Sequence, residues 1–148
     1  QIANYADFCN ECGNCDTFCP EYGGPFIEKP SFFGSRHSYE KHTTHDGFLV
    51  EREGDLDRIA GRMMAKEYRL EINRKLREEV YADPVVELRL DPDTRQIKSS
   101  KLVGQRRSGY VVDMKNFLIL KILLDGMLSA KQANYVNMPY LPAFAPVP

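Results

Sequence analysis

The chain is predicted to be an α+β protein. A ferredoxin-type segment that binds a [4Fe–4S] cluster is followed by a small antiparallel sheet, which a C-terminal helix covers. Three observations lead there. All four cysteines fall between Cys9 and Cys19. Two stretches in the middle of the chain alternate apolar and polar residues, the period of a strand. A long apolar stretch near the end follows Asp113, a residue type suited to open a helix.

The cysteine run reads Phe8-Cys9-Asn10-Glu11-Cys12-Gly13-Asn14-Cys15-Asp16-Thr17-Phe18-Cys19-Pro20. Its spacing is C-x2-C-x2-C-x3-C-P, the bacterial ferredoxin-type iron–sulfur run. Thiolates this close along the chain converge on one cube if the backbone coils tightly around it. Gly13 relieves crowding where backbone passes the inorganic sulfides, and Pro20 turns the chain away. Disulfides fit poorly, because cysteines so near one another pair with difficulty. Zinc is the rival metal, but its sites usually space two C-x2-C knuckles a dozen or more residues apart. The expected ligands are therefore Cys9, Cys12, Cys15 and Cys19, with zinc as the minor alternative cofactor. In two-cluster ferredoxins the fourth cysteine serves the other cluster. Cys19 therefore closes the same cube as the first three, or belongs to one whose other ligands lie elsewhere. The start at Gln1, eight residues before Cys9, suits a cut between two such runs.

Further residues extend the pattern: Gly24-Pro25-Phe26, Phe32-Phe33 and Asp46-Gly47-Phe48-Leu49-Val50-Glu51. Over about residues 8–51 the chain resembles the C-terminal iron–sulfur region of the selenate reductase flavoprotein subunits. Those are relatives of the glutamate synthase small chain and of the N-terminal part of dihydropyrimidine dehydrogenase. The resemblance implies a cytoplasmic, NAD(P)H- and flavin-linked oxidoreductase in which the cluster relays electrons. It also implies a flavoprotein domain or subunit as partner, because the FAD and NAD(P)H domains of that family have no counterpart in these residues.

The division expected is an iron–sulfur segment with an aromatic loop over residues 1–50, a small α+β domain over 51–137, and a Pro-rich extended tail over 138–148. Residues 21–47 show no period, and their aromatics Phe26, Phe32 and Phe33 are expected to shield the cluster, because leaving them wet is costly. His37, His42 and His45 could gather a metal on paper. The Ser and Thr around them read instead as solvated loop, which leaves the cluster to the cysteines.

In the second half, Tyr68, Leu70 and Ile72 share one face while Arg69 and Glu71 take the other. A helix over Leu56 to Glu79 is the alternative, since many of these residues are good helix formers. Gly61 weakens it, and the resemblance favours a hairpin. Val86, Leu88 and Leu90 alternate with Glu87, Arg89 and Asp91, then Asp91-Pro92-Asp93-Thr94 makes a turn, and Gln96 to Val103 returns. The helix is expected from Asp113 to about residue 134. Its apolar arc is wide, so one side covers the sheet and the other meets a partner or further core. Lys115, Lys121 and Asp125 argue against a membrane span. The tail, with four prolines from Met138 onward, suits extended docking. Helix and tail are the expected surfaces for homo- or hetero-oligomer contacts.

Charge excludes one class. Lys+Arg is 20 and Asp+Glu is 21, a formal charge of −1, unlike a nucleic-acid binder that works by neutralising phosphates. Arg106-Arg107 reads as solvated surface. No glycine-rich nucleotide fingerprint or P-loop is present, and no nucleophile or acid/base pair stands out. The function expected is an electron-transfer module of an oxidoreductase, or a fragment of a larger enzyme. The alternative is a zinc- or cluster-stabilised interaction module that docks partner subunits.

Overall fold

The computed structural model describes residues 3–18, 24–105 and 108–141. Eight strands lie side by side in chain order: β1 (Asn4–Tyr5), β2 (Ser31–Phe33), β3 (Gly47–Glu53), β4 (Leu56–Met63), β5 (Lys66–Asn73), β6 (Glu78–Ala82), β7 (Val86–Leu90) and β8 (Ile97–Leu102). From β3 to β8 every pairing is antiparallel, whereas β1 pairs β2 and β2 pairs β3 in parallel.

Register carries the core across the sheet. Ile59 lies opposite Leu70, Leu70 opposite Tyr81, and Tyr81 opposite Leu88. All four are buried, so one face of four strands is a continuous apolar row. The helix α3 (Met114–Leu128) covers that face with Phe117, Leu120 and Leu124, positions three and four apart on one side of a helix. The Asp113 side chain caps it by accepting from the Lys115 N–H at 2.9 Å, as expected of an N-cap. Gly61 sits beneath the helix. A Cβ there would come within 2.8 Å of a Leu120 methyl and 2.9 Å of the Phe48 ring, so the glycine that weakens a helical reading is the close-contact point of sheet and helix.

The opposite face is mostly charged. Arg69 of β5 reaches across β6 to Glu87 of β7 at 3.1 Å, and Arg89 pairs Glu78 on the neighbouring β6 at 3.0 Å. Only near β2 and β3 does this face bury apolar surface, where Phe33, Tyr39 and Leu49 cluster under the short helix α2 (Arg36–Lys41). The four-residue α1 (Pro25–Glu28) precedes β2.

This corrects the expected fold class. In place of a ferredoxin-type segment with a small antiparallel sheet, the chain forms one eight-stranded mixed sheet, mostly β, with one long helix. The reason is that β1 and β2, of two and three residues, are too short to reveal alternation, yet each pairs in parallel with its neighbour. The region 56–79 takes the strand alternative, turned at Met64-Ala65, where both residues have positive φ as in a tight hairpin. The helix ends at Leu128 rather than near 134. Beyond it Asn134 and Asn137 bond each other's backbone N–H groups at 2.8–2.9 Å, and such side-chain bonding competes with continued helix. Only one side of α3 is buried; Leu118 and Ile122 stay exposed. Among the described residues no helix is long and apolar enough to cross a membrane. Arg106, Arg107 and 142–148 of the tail lie outside the described residues. The tail's first part forms a 3-10 turn, Met138–Tyr140, whose Tyr140 hydroxyl donates to the Val50 carbonyl at 3.2 Å.

Candidate cysteine centre

Parallel strands cannot be joined by a tight turn, and the connection from β1 to β2 is where the cysteines lie. The chain leaves β1 through a 3-10 turn, Ala6–Phe8, and reaches Cys9. Glu11 and Gly13 both take the left-handed region, at φ 55° and 75°. Two such residues on either side of Cys12 curl the backbone sharply. A second 3-10 turn, Asn14–Thr17, then holds Cys15, closed by Asp16 N–H to the Gly13 carbonyl at 3.0 Å. The Cys12 N–H donates to Asn10 Oδ1 at 3.4 Å.

Cys9, Cys12 and Cys15 are free thiols. All three line one cavity of about 560 Å³, together with Tyr5, Phe8, Phe26 and Tyr135. Cys19 lies outside the described residues. Among the described residues, no three Cys, His, Asp or Glu side chains gather where a single metal ion could be held. In a cubane each thiolate meets its own iron corner, so its donors surround a volume rather than a point. Free thiols around one cavity suit that donor set.

The aromatic shielding differs from expectation. Phe32 and Phe33 are buried in the sheet's two apolar clusters. Phe18 is 90% exposed. Phe8 is also largely exposed but packs on Tyr5 and Tyr135, with ring centroids 5.0 Å away in each case. The cavity wall is therefore built from Phe8, Tyr5, Phe26 and Tyr135, and Tyr135 comes from beyond α3, a contribution that no spacing in the sequence announces.

Two carboxylates tie the cysteine loop to the rest of the fold. Asp7 accepts from the Gly34 N–H at 3.2 Å and from the Ser38 hydroxyl. Gly34 packs so tightly that a Cβ would lie 1.9 Å from the Tyr5 hydroxyl. Glu11 meets His45 Nε2 at 3.1 Å. His45 belongs to the loop after α2, and that loop is moored by Arg62. The Arg62 guanidinium donates to the carbonyls of His42 (2.8 Å), His45 (3.0 Å) and Tyr39 (3.3 Å), and to Glu67 at 2.7 Å. It is 6% exposed and lies over the Tyr39 ring at 4.4 Å, a cation–π contact. Burial, and then the bond from its hydroxyl to Glu67, push the Tyr39 phenol far above its usual range.

Two of the histidines meet and the third stands apart. His42 stacks on Phe33 at 6.2 Å and meets His45 edge-on at 5.8 Å, while His37 sits on α2. Sequence reasoning passed over Glu11, Asp7 and Arg62. Glu11's place between two cysteines was the one available signal, since Asp7 and Arg62 act only through contacts distant in sequence.

A cysteine centre on a parallel crossover at the sheet edge thus defines the class of site, and similarity to known proteins is confined to a short stretch. Over 44 residues the chain is 43% identical to two curated proteins named "Putative oxidoreductase YgfK", one from Escherichia coli (strain K12) and one from Escherichia coli O157:H7. The stretch is 30% of this chain and 4% of those proteins, so the chain spans only a small part of the relatives it matches. No family profile and no solved structure matches it.

Proposed function

We propose that the chain is an electron-relay module of an oxidoreductase, holding one [4Fe–4S] cluster through Cys9, Cys12, Cys15 and Cys19. The observation that carries the reading is that Cys9, Cys12 and Cys15, at ferredoxin spacing, line one cavity on a loop fastened to the sheet edge. The oxidoreductase class draws support from the short similarity to proteins of that name. When bound, the cluster supplies one-electron transfer, at a potential that hydrogen bonding, charge and burial adjust. The chain's own part is to hold the thiolates beside the aromatic wall of Phe8, Tyr5, Phe26 and Tyr135. This reading assigns the exposed Leu118 and Ile122 of α3 to contact with a flavoprotein domain or subunit.

Anaerobic purification tests it. The protein is expected to be brown, to carry about four irons per chain, and to give an EPR signal on dithionite reduction. Cys12→Ser is expected to abolish the cluster, while His42→Ala leaves it intact. A colourless, EPR-silent protein with stoichiometric zinc would sink the electron-relay reading in favour of a zinc-stabilised docking module.

A further inference from the structure

We propose that His45 is the positioning residue of the cysteine loop, and that through Glu11 it sets both the loop's rigidity and the charge the centre feels. Glu11 lies between Cys9 and Cys12 and takes a left-handed conformation, uncommon for an L-residue. Its carboxylate Oε1 lies 3.1 Å from His45 Nε2.

The tautomer follows from the network. Thr44 Oγ1 lies 3.3 Å from His45 Nδ1. A hydroxyl donating to Nδ1 leaves the ring proton on Nε2, where it points at Glu11. The imidazole thus grips the carboxylate even when neutral. Its backbone is equally fixed, because the buried Arg62 guanidinium holds the His42 and His45 carbonyls together. The path runs from a buried cation on β4, through a loop histidine, to the bend between two cysteines. A second cavity, of about 570 Å³, is lined by Cys9, Glu11, His42, His45 and Arg62, so the whole path borders the cysteine centre.

Two readouts follow, and only one rests on the cluster reading. In the metal-free full-length chain, His45→Ala is expected to speed amide hydrogen exchange across residues 9–17. His45→Gln, which keeps an N–H donor at the same reach, restores protection. In the cluster-loaded protein, His45→Ala leaves the Glu11 charge less compensated and lowers the midpoint potential. Glu11→Gln removes that charge and raises it. Each changes the reduced-to-oxidised ratio about two-fold at fixed poise, a modest shift because the Glu11 and His45 side chains are both about half exposed and solvent screens their charge. In the Glu11→Gln background, His45→Ala is expected to add little, as a double-mutant cycle on a directly coupled pair requires. A purely structural histidine would not give opposite signs at the two residues.

The failures are distinguishable. If the wild-type chain assembles no cluster, the relay reading falls and hydrogen exchange alone decides the role of His45. If the cluster assembles but His45→Ala leaves the potential unchanged, the inference is overturned while the relay reading stands. Unchanged exchange in metal-free His45→Ala overturns it in either case.

Discussion

Glu79 is the least exposed charged residue among those described. It is 1% exposed, yet its carboxylate meets Lys121 Nζ at 3.2 Å and the Arg95 guanidinium. It therefore pins α3 and the β7–β8 connection to β6. Glu79→Ala leaves Arg95 without this acceptor and Lys121 with only the more exposed Asp125 at 3.2 Å, and charged hydrogen bonds of this kind contribute roughly 1.5–3 kcal/mol. A loss of about 2 kcal/mol is expected as a lower urea midpoint with an unchanged m-value, and Glu79→Gln should lose less. An unmoved midpoint would remove Glu79 from the forces that dock the helix. The contrast with the cysteines is instructive. The grouping of Cys9, Cys12 and Cys15 around one cavity was legible because it rests on spacing along a short stretch of chain. Glu79 sits in a plain Glu-Glu pair at the start of β6, and which of the two faces the core is decided by register with Leu90 opposite. The Glu11–His45 contact was equally hidden, since it joins two loops through a fold that neither encodes.

Turns and caps carried the clearest element-level signals. The pair β7–β8 forms around Asp91-Pro92-Asp93-Thr94 as its residues imply, and α3 begins at Asp113. Asp91 closes its turn by accepting from the N–H groups of Thr94 and Asp93, each at 3.0 Å, and pairs Lys98 at 3.0 Å. The Thr94 N–H first, then Lys98, hold its carboxyl well below the usual carboxylate range. A depressed folded pKa means the unfolded chain binds the proton more readily. The stabilisation is thus present above an ordinary aspartate value of about 4 and is lost as pH falls below it. Asp91→Asn is expected to flatten the acid limb of a stability–pH profile. If the wild type and the variant have parallel acid limbs, the turn does not contribute in this way. By contrast β1 and β2 were illegible. Strands this short show no period, and Phe32 and Phe33 point to opposite faces of the sheet, so their aromatic character hinted at burial without naming a strand.

At the scale of the molecule the expected antiparallel sheet missed the parallel pairings β1–β2 and β2–β3, because alternation is the same for parallel and antiparallel pairing. The sheet runs unbroken from β1 to β8, with β3 spanning residues 47–53. A single cooperative unfolding transition is therefore expected. Far-UV circular dichroism and tyrosine fluorescence, in a chain with no Trp, are expected to give coincident curves. Two separated transitions would mark residues 1–50 as an independent unit. Within that unity stability is graded. Every residue of β8 is exposed, while Ile59, Leu70 and Tyr81 on β4 to β6 are wholly buried. Native-state hydrogen exchange should therefore release β8 well before the central strands.

The parallel crossover has a consequence for loading. β1 is an edge held to the sheet by two residue pairs, Asn4 with Ser31 and Tyr5 with Phe32, and residues 6–30 are the tether between them. Closing a connection of that length costs chain entropy. Anything that binds Cys9, Cys12 and Cys15 together shortens the loop left to close, so it makes docking of β1 less costly. The linkage runs both ways: a ligand that loads the loop seals the sheet's border, and a strain that peels the border away loosens the grip on the ligand.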